Sequence, residues 1–323
     1  MSGGEEGGSE SGEKIRSAKE NLSLILPSLS TTTLLGNQEI YSQISRLLRQ
    51  PNSGAGDNNL CRWLYDTFQS GVSELQLLVL SFVPIIAGVY LSRVAERKPQ
   101  AGFEAVLLAL YGHQTSSRAG QPVSVTLPDL SQGSVYHESK SPNKNNSSST
   151  VAVVSPALEP HGTVRSTRRA RIVGVALELF FAKIPHMPAS SKIHFCEFCK
   201  IWAGQDGDMY MNFEEDVSGK ELELKEKEKE KEKGEGRVPL PWELLQPVLR
   251  ILGHCLLGTN HNDCELFGAA SEACRCLFAR SMHDVNPQAI LPMRSLLRLS
   301  KPLLTNHLLP DPTDLPFSSV ISL

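Results

Sequence analysis

The stretch Leu75–Ser92, LQLLVLSFVPIIAGVYLS, carries 18 residues without a charge and is the most apolar run of that length in the chain. Such a run must be hidden from water on every side, either in lipid or in the middle of a protein core. Its length sits at the threshold for a membrane-spanning helix. Gln76 and Ser81 interrupt it, Pro84 lies midway, and no basic cluster flanks it to set an orientation. The reading is a buried core helix, kinked or divided near Pro84, because proline lacks the N–H a helix needs and crowds the preceding turn. A helix buried all round needs several others packed against it, so the run constrains the whole chain toward a multi-helix core.

The rest of the sequence offers those partners. Ile40, Ile44, Leu47 and Leu48 recur at helical spacing and stop near Gln50-Pro51. Leu60, Trp63, Leu64, Thr67 and Phe68 share one face of a second helix, ended by Ser70-Gly71. A third runs from about Ser73 to Ala95 and a fourth covers Phe103–Tyr111. Later come Ile172–Lys183 and Ser190–Trp202, then a Leu-rich helix through Leu244–Leu257 led by Pro241. Cys264–Arg280 and Gln288–Leu299 follow, the last ended by Pro302. Aromatic residues make up only 6% while Leu is abundant, which favours helix-on-helix packing over a sandwich or barrel. The expected fold class is all-α: an irregular multi-helix bundle or solenoid-like domain with a short extended β segment near 123–136. No repeat of fixed period supports a regular solenoid.

Composition divides the chain. Residues 1–20 are Gly/Ser/Glu-rich and read as a disordered tail. Residues 21–303 form the helical domain, with a disordered loop at 139–163 and a charged insert at 205–236. Residues 304–323 are a Pro-rich tail. Within the insert, Lys220–Lys233 alternates six Lys with six Glu. Alternation puts opposite charges at i,i+3 but like charges at i,i+4, so the pairings largely cancel and a solvated helix or linker is expected.

The chemistry-bearing motifs are few. There is no GxxxxGK[ST], GxSxG, HExxH or GxGxxG, so no catalytic residue and no cofactor is implied. Seven cysteines and the absence of a signal-peptide pattern read as buried, reduced thiols in a cytosolic protein. Cys196 and Cys199, spaced as Cys-x-x-Cys behind His194, make half of a zinc site, but the second ligand pair is missing, and no metal is expected. A zinc or redox role for this pair is the weakest of the alternatives. A net charge of −3 argues against nucleic acid as a partner. The one basic cluster, Arg165, Arg168, Arg169 and Arg171, is the candidate contact for anionic lipid or an acidic partner, against a solvated helix start. Ser166 and Thr167 lie within it, where phosphorylation would weaken attraction to lipid.

Val123–Glu138, VSVTLPDLSQGSVYHE, breaks the helical pattern. Val123, Val125 and Leu127 alternate with Ser124 and Thr126, the period of a strand, with a small hairpin to Ser134–Tyr136 as its continuation. Tyr136, His137 and Glu138 have no nucleophile, metal motif or phosphate loop beside them, so the segment reads as an ordered brace between helical halves.

That block carries a family resemblance. With Leu127-Pro128, Leu130-Ser131 and Ser134-Val135-Tyr136-His137-Glu138 at its centre, the sequence resembles the hyccin family, most closely its plant-type members. The match extends back through Tyr111, Leu107-Leu108, Glu104-Ala105, Tyr90-Leu91, Pro84, Phe82, Leu75, Phe68 and Leu64 to Gln50-Pro51. It extends forward to Met187-Pro188, Cys196, Cys199 and the last two helices, covering roughly residues 35–300. The 205–236 insert and the short C-terminus depart from the pattern. The resemblance implies an all-helical, non-enzymatic subunit of the plasma-membrane phosphatidylinositol 4-kinase complex. Its implied partners are a tetratricopeptide-repeat scaffold subunit, the type III alpha kinase and a lipid-anchored membrane-tethering subunit. Peripheral membrane association would come through the complex, placing the chain in the cytosol and at the cytoplasmic face of the plasma membrane. Leu64, Phe68, Leu75, Phe82, Tyr90, Tyr111, Tyr136 and His137 are the candidate interface or fold determinants, with those two roles left open.

Overall fold

A computed structural model describes residues 6–26, 37–127, 150–160, 164–165, 168–209, 237–258 and 263–305. The first half holds α1 (Glu6–Ile25), α2 (Gln38–Arg49), α3 (Asn59–Gln69), α4 (Ser73–Ser81), α5 (Val83–Ala95) and α6 (Ala101–Ser117). A two-stranded antiparallel ribbon follows, β1 (Val123–Leu127) and β2 (Thr150–Ser155). The second half holds α7 (Arg169–Ala182), a 3₁₀ turn at Ile184–His186, α8 (Ala189–Ala203), α9 (Trp242–Leu257), α10 (Cys264–His283) and α11 (Pro287–Thr305). The all-α expectation holds, with one small ribbon.

Local chemistry explains where helices start and stop. Asn37, Asn58 and Asp263 each turn a side-chain oxygen onto the free N–H groups of the first turn of α2, α3 and α10. Gly71 follows α3 at φ +74°, a conformation that costs a side-chain-bearing residue far more. Arg93, buried, points its guanidinium at the carbonyls of Gln50 and Ser53 and so ties the end of α2 and the following loop to α5.

The uncharged run becomes α4 and α5, bent by 43° at Phe82, two residues before Pro84. The break leaves the Ser81 carbonyl exposed to side chains, and Ser191 Oγ donates to it at 2.5 Å while Tyr41 OH donates at 3.5 Å. Phe82 itself is stacked on Tyr41, with ring centroids 5.0 Å apart. Residues Val83–Leu91 are buried on every face of α5, against α2, α7 and α8. Gly88 is required there: a Cβ would lie 2.2 Å from the Phe198 ring of α8. No single described helix is long and apolar enough to cross a membrane. The bent α4–α5 pair has the length and composition, but its apolar surface is spent on the core.

Several expectations change. Residues 1–20 are not a disordered tail throughout, because α1 begins at Glu6. Its second half is amphipathic: Ala18 and Leu22 are buried, as is Leu26 just past its end, and Trp63 Nε1 of α3 donates to the Ala18 carbonyl at 2.8 Å. Gly/Ser-rich composition in the first ten residues hides that stripe. The expected loop at 139–163 contains β2, whose TVAVVS pairs with β1. The described partner of β1 is Thr150–Ser155; the expected continuation at Ser134–Tyr136 lies outside the described residues. Helix α6 runs on past Tyr111 to Ser117, α7 starts at Arg169 rather than Ile172, and α11 passes through Pro302 to Thr305. A proline removes one helical donor without always ending the helix, as Pro247 inside α9 also shows.

Candidate interaction site

Surface apolar side chains gather on the ribbon. Every residue of β1 is exposed. Residues directly opposite each other share a face, and the register pairs Val125 with Ala152 and Ser124 with Val153. One face therefore shows Val123, Val125 and Leu127, and the other shows Val151 and Val153. Val125 keeps 48% and Val153 59% of its surface in water. An isolated two-stranded ribbon is at best marginally stable, so something else must hold this one.

The support lies at its root. Past the end of α6, Ala119 and Gly120 take φ of +47° and +72° and reverse the chain. Gly120 N–H returns to the Thr115 carbonyl, and the Gly120 carbonyl accepts from Leu158 N–H at 2.9 Å on the far side of the ribbon. Leu158 is buried in the core. Tyr111 OH accepts from Glu159 N–H at 3.0 Å and donates to the Glu159 carbonyl at 3.3 Å. Burial pushes the Tyr111 phenol above its ordinary range, so it keeps the proton it donates. Arg171 Nη2 donates to the carbonyls of Pro156 and Ala157 at 3.0 and 3.1 Å. Arg118 Nη1 donates to Ser155 Oγ at 2.9 Å and lies 3.6 Å from the Glu178 carboxylate, both side chains buried. Burial lowers the Arg118 pKa and the Glu178 charge opposes that shift. Among the described residues the Nε and Nη2 of Arg118 have no hydrogen-bond partner, so Glu178 is what makes the buried charge tolerable.

Most of the residues singled out from sequence have a defined place. Leu64, Phe68, Leu75, Phe82, Tyr90 and Tyr111 all lie in the buried core of this chain. Tyr90 OH donates to Glu104 at 3.0 Å, and Tyr111 serves the clamp. Tyr136 and His137 fall outside the described residues. The exposed valines of β2 were missed because Thr150–Ser155 follows an Asn/Ser-rich stretch and was absorbed into the loop; its run of Val was the available signal.

A model of the hyccin family matches residues 28–303, most of the chain and all of the elements from α2 to β2 and on to α10. This chain belongs to the hyccin family. In this hyccin-family chain the family match therefore includes both the core and the clamped ribbon.

The arginine cluster needs correction. Arg171 is buried and spent on the carbonyls behind the ribbon. Arg169 is half-buried and turned toward the Tyr90 hydroxyl, whose pKa it helps to hold down against burial and Glu104. Arg168 is exposed but paired with Glu159. Only Arg165 remains exposed with no ion-pair partner among the described residues. The four arginines thus do not form one basic surface: the helix that begins at Arg169 turns two of them inward.

The thiol pair also changes meaning. Cys196 and Cys199 are buried on α8, facing Cys255 of α9 and Cys274 of α10. The hydrogen bond that the Cys196 thiol makes to Cys255, together with burial, raises Cys196, and burial raises Cys199, so both are held as protonated thiols, poor as ligands or nucleophiles. Among the described residues no group of three or more His, Cys, Asp or Glu side chains is placed to hold a metal.

Proposed function

We propose that this chain is a non-catalytic scaffold subunit of a phosphatidylinositol 4-kinase type III alpha complex and supports phosphatidylinositol 4-phosphate synthesis. It packs against and stabilises a tetratricopeptide-repeat scaffold subunit, which joins the kinase to a lipid-anchored membrane-tethering subunit. The chain works in the cytosol and at the cytoplasmic face of the plasma membrane, held there through the complex. The observation that carries this reading is family membership over residues 28–303. The apolar surface left on the ribbon is consistent with it, since a chain that acts by binding must keep some apolar surface outside its own core.

Affinity purification of the full chain from its own cells, followed by mass spectrometry, tests the proposal. The repeat subunit and the kinase are expected to co-purify in reproducible ratio. A chain recovered alone, as a monodisperse monomer that ignores added repeat subunit, would overturn it.

A further inference from the structure

We propose that the outer face of α11, with the α10–α11 corner that leads into it, lies on an anionic bilayer surface and touches lipid directly. The inference stands apart from the reading above, in which other subunits supply the membrane contact.

The face itself is the first observation. At 3.6 residues per turn, Leu291 sits in the middle of the exposed side of α11. Arg294 and Arg298 lie on one flank of it, and Gln288, Ser295 and Leu299 on the other. Ala289, Met293 and Ser300 are buried on the opposite side, where α11 packs on α9 and α10. Leu291 keeps 69% and Leu299 59% of its surface in water.

The corner is the second. Helix α10 ends with Val285 N–H bonded to the Met282 carbonyl at 3.2 Å and Asn286 N–H to the Ser281 carbonyl at 2.9 Å. That turn needs a left-handed residue, ordinarily glycine, yet Val285 occupies it at φ +49°. A β-branched side chain is strained in that conformation. This one is 77% exposed, so it returns no burial within the chain. A residue that costs the fold and adds nothing to its core points to a contact outside the chain.

Charge is the third, and it selects the occupant. Between Asp284 and Asp311 the sequence has no acidic residue, but it has Arg294, Arg298 and Lys301. Asp284 is itself committed to Arg237 at 2.7 Å and to Arg280. The whole chain carries −3, so attraction to an anionic surface is local, within the screening length. Basic residues beside projecting apolar side chains suit a helix lying in the plane of an anionic interface. The arginines meet headgroups and the leucines enter the acyl boundary. A protein partner suits the face less. The exposed side of this 19-residue helix is roughly 28 Å by 10 Å, about a third of what a stable protein interface takes from each partner. A receiving groove also requires apolar anchors at i, i+3 or i+4, and i+7. Arg294, Ser295 and Arg298 interrupt that run. A lipid surface requires neither.

The test sediments the purified full chain, with no other subunit present, with phosphatidylserine-rich vesicles and with phosphatidylcholine vesicles. Binding to the anionic vesicles alone is expected, weakening as salt rises. Replacing both arginines (Arg294→Ala with Arg298→Ala) should weaken it about tenfold or more, and Leu291→Ser by a similar factor, each with an unchanged circular-dichroism melt. Leu291→Ser reports even where the arginine variant disturbs the fold. Val285→Gly should raise the thermal midpoint, because glycine relaxes the turn, and yet weaken vesicle binding severalfold. A Val285→Gly chain that binds vesicles as the wild type does overturns the part of the proposal that includes the corner. Wild-type chain that ignores anionic vesicles, or sediments equally with both kinds, overturns the whole. So does binding that is indifferent to Leu291→Ser and to the arginine pair. Loss of repeat-subunit binding in these variants, with vesicle binding intact, would give the face to a protein and overturn the lipid contact. All of these outcomes leave the proposed function standing.

Discussion

The Val83–Leu91 run of α5 and the β1–β2 ribbon are both apolar and uncharged, yet one is buried throughout and the other stands about half in water. Val83–Leu91 is enclosed by α2, α7 and α8, while Val125 and Val153 are about half exposed. Residue type is the same; the difference is how many elements the topology brings alongside. The core segment gains its stability from burial of its own side chains. The ribbon gains its position from polar contacts at one end, made by Tyr111, Arg118 and Arg171. A region held that way can keep apolar side chains available to another protein without depending on them for its own fold.

That contrast breaks most readily at Phe82. Phe82→Ala empties a fully buried site at the α4–α5 break and loses the stack on Tyr41. A loss of about 3–5 kcal/mol is expected in urea unfolding. A loss under about 1 kcal/mol would mean that the break is not packed as described.

Tyr111→Phe sharpens the comparison from the other side. It removes one hydroxyl that serves both the N–H and the carbonyl of Glu159. The expected cost is about 1–3 kcal/mol, with faster hydrogen exchange confined to residues 150–160. Uniformly faster exchange through α5 would show that clamp and core are not separable.

A pH effect belongs to the core side alone. Burial, and then the Arg49 charge, hold the His194 imidazole below its ordinary value of 6.5, with Glu197 opposing. His254 is lowered by burial and by Lys192. The unfolded chain takes up these protons near their ordinary value and the folded chain takes them up only at lower pH. Stability is therefore complete above that value and declines as pH falls through it. Denaturant midpoints measured from about pH 7.5 down to about pH 5.5 should fall, and less steeply in His194→Gln. An equal slope in that variant would remove His194 from the account.

The smallest effect is expected at Val125. Val125→Thr should change stability by no more than about 0.5 kcal/mol, because the side chain already faces water. A larger loss in thermal unfolding would mean that the ribbon valines support the fold.

Much of this was legible from short-range signals. The division of the uncharged run near Pro84 and the strand at Val123–Leu127 follow from proline geometry and period-two alternation. These are interactions between residues a few positions apart, and sequence displays them directly. The misses share a cause. Helix α1 was diluted by glycine and serine, β2 was hidden behind an Asn/Ser-rich stretch, and Pro302 did not stop α11.

By itself, then, the sequence determined an all-α class, the break near Pro84, and the resemblance to hyccin. Which apolar residues stay exposed was decided only in three dimensions. Leu64, Phe68 and Tyr90 are as apolar on paper as Val125 and Val153, but long-range packing encloses the first group and leaves the second outside. The same holds for charge: Arg165 and Arg171 read alike in sequence, and one turn of helix α7 sends Arg171 inward to the carbonyls of Pro156 and Ala157. Burial depends on which elements meet, and contacts between residues distant in sequence leave no local periodicity to read.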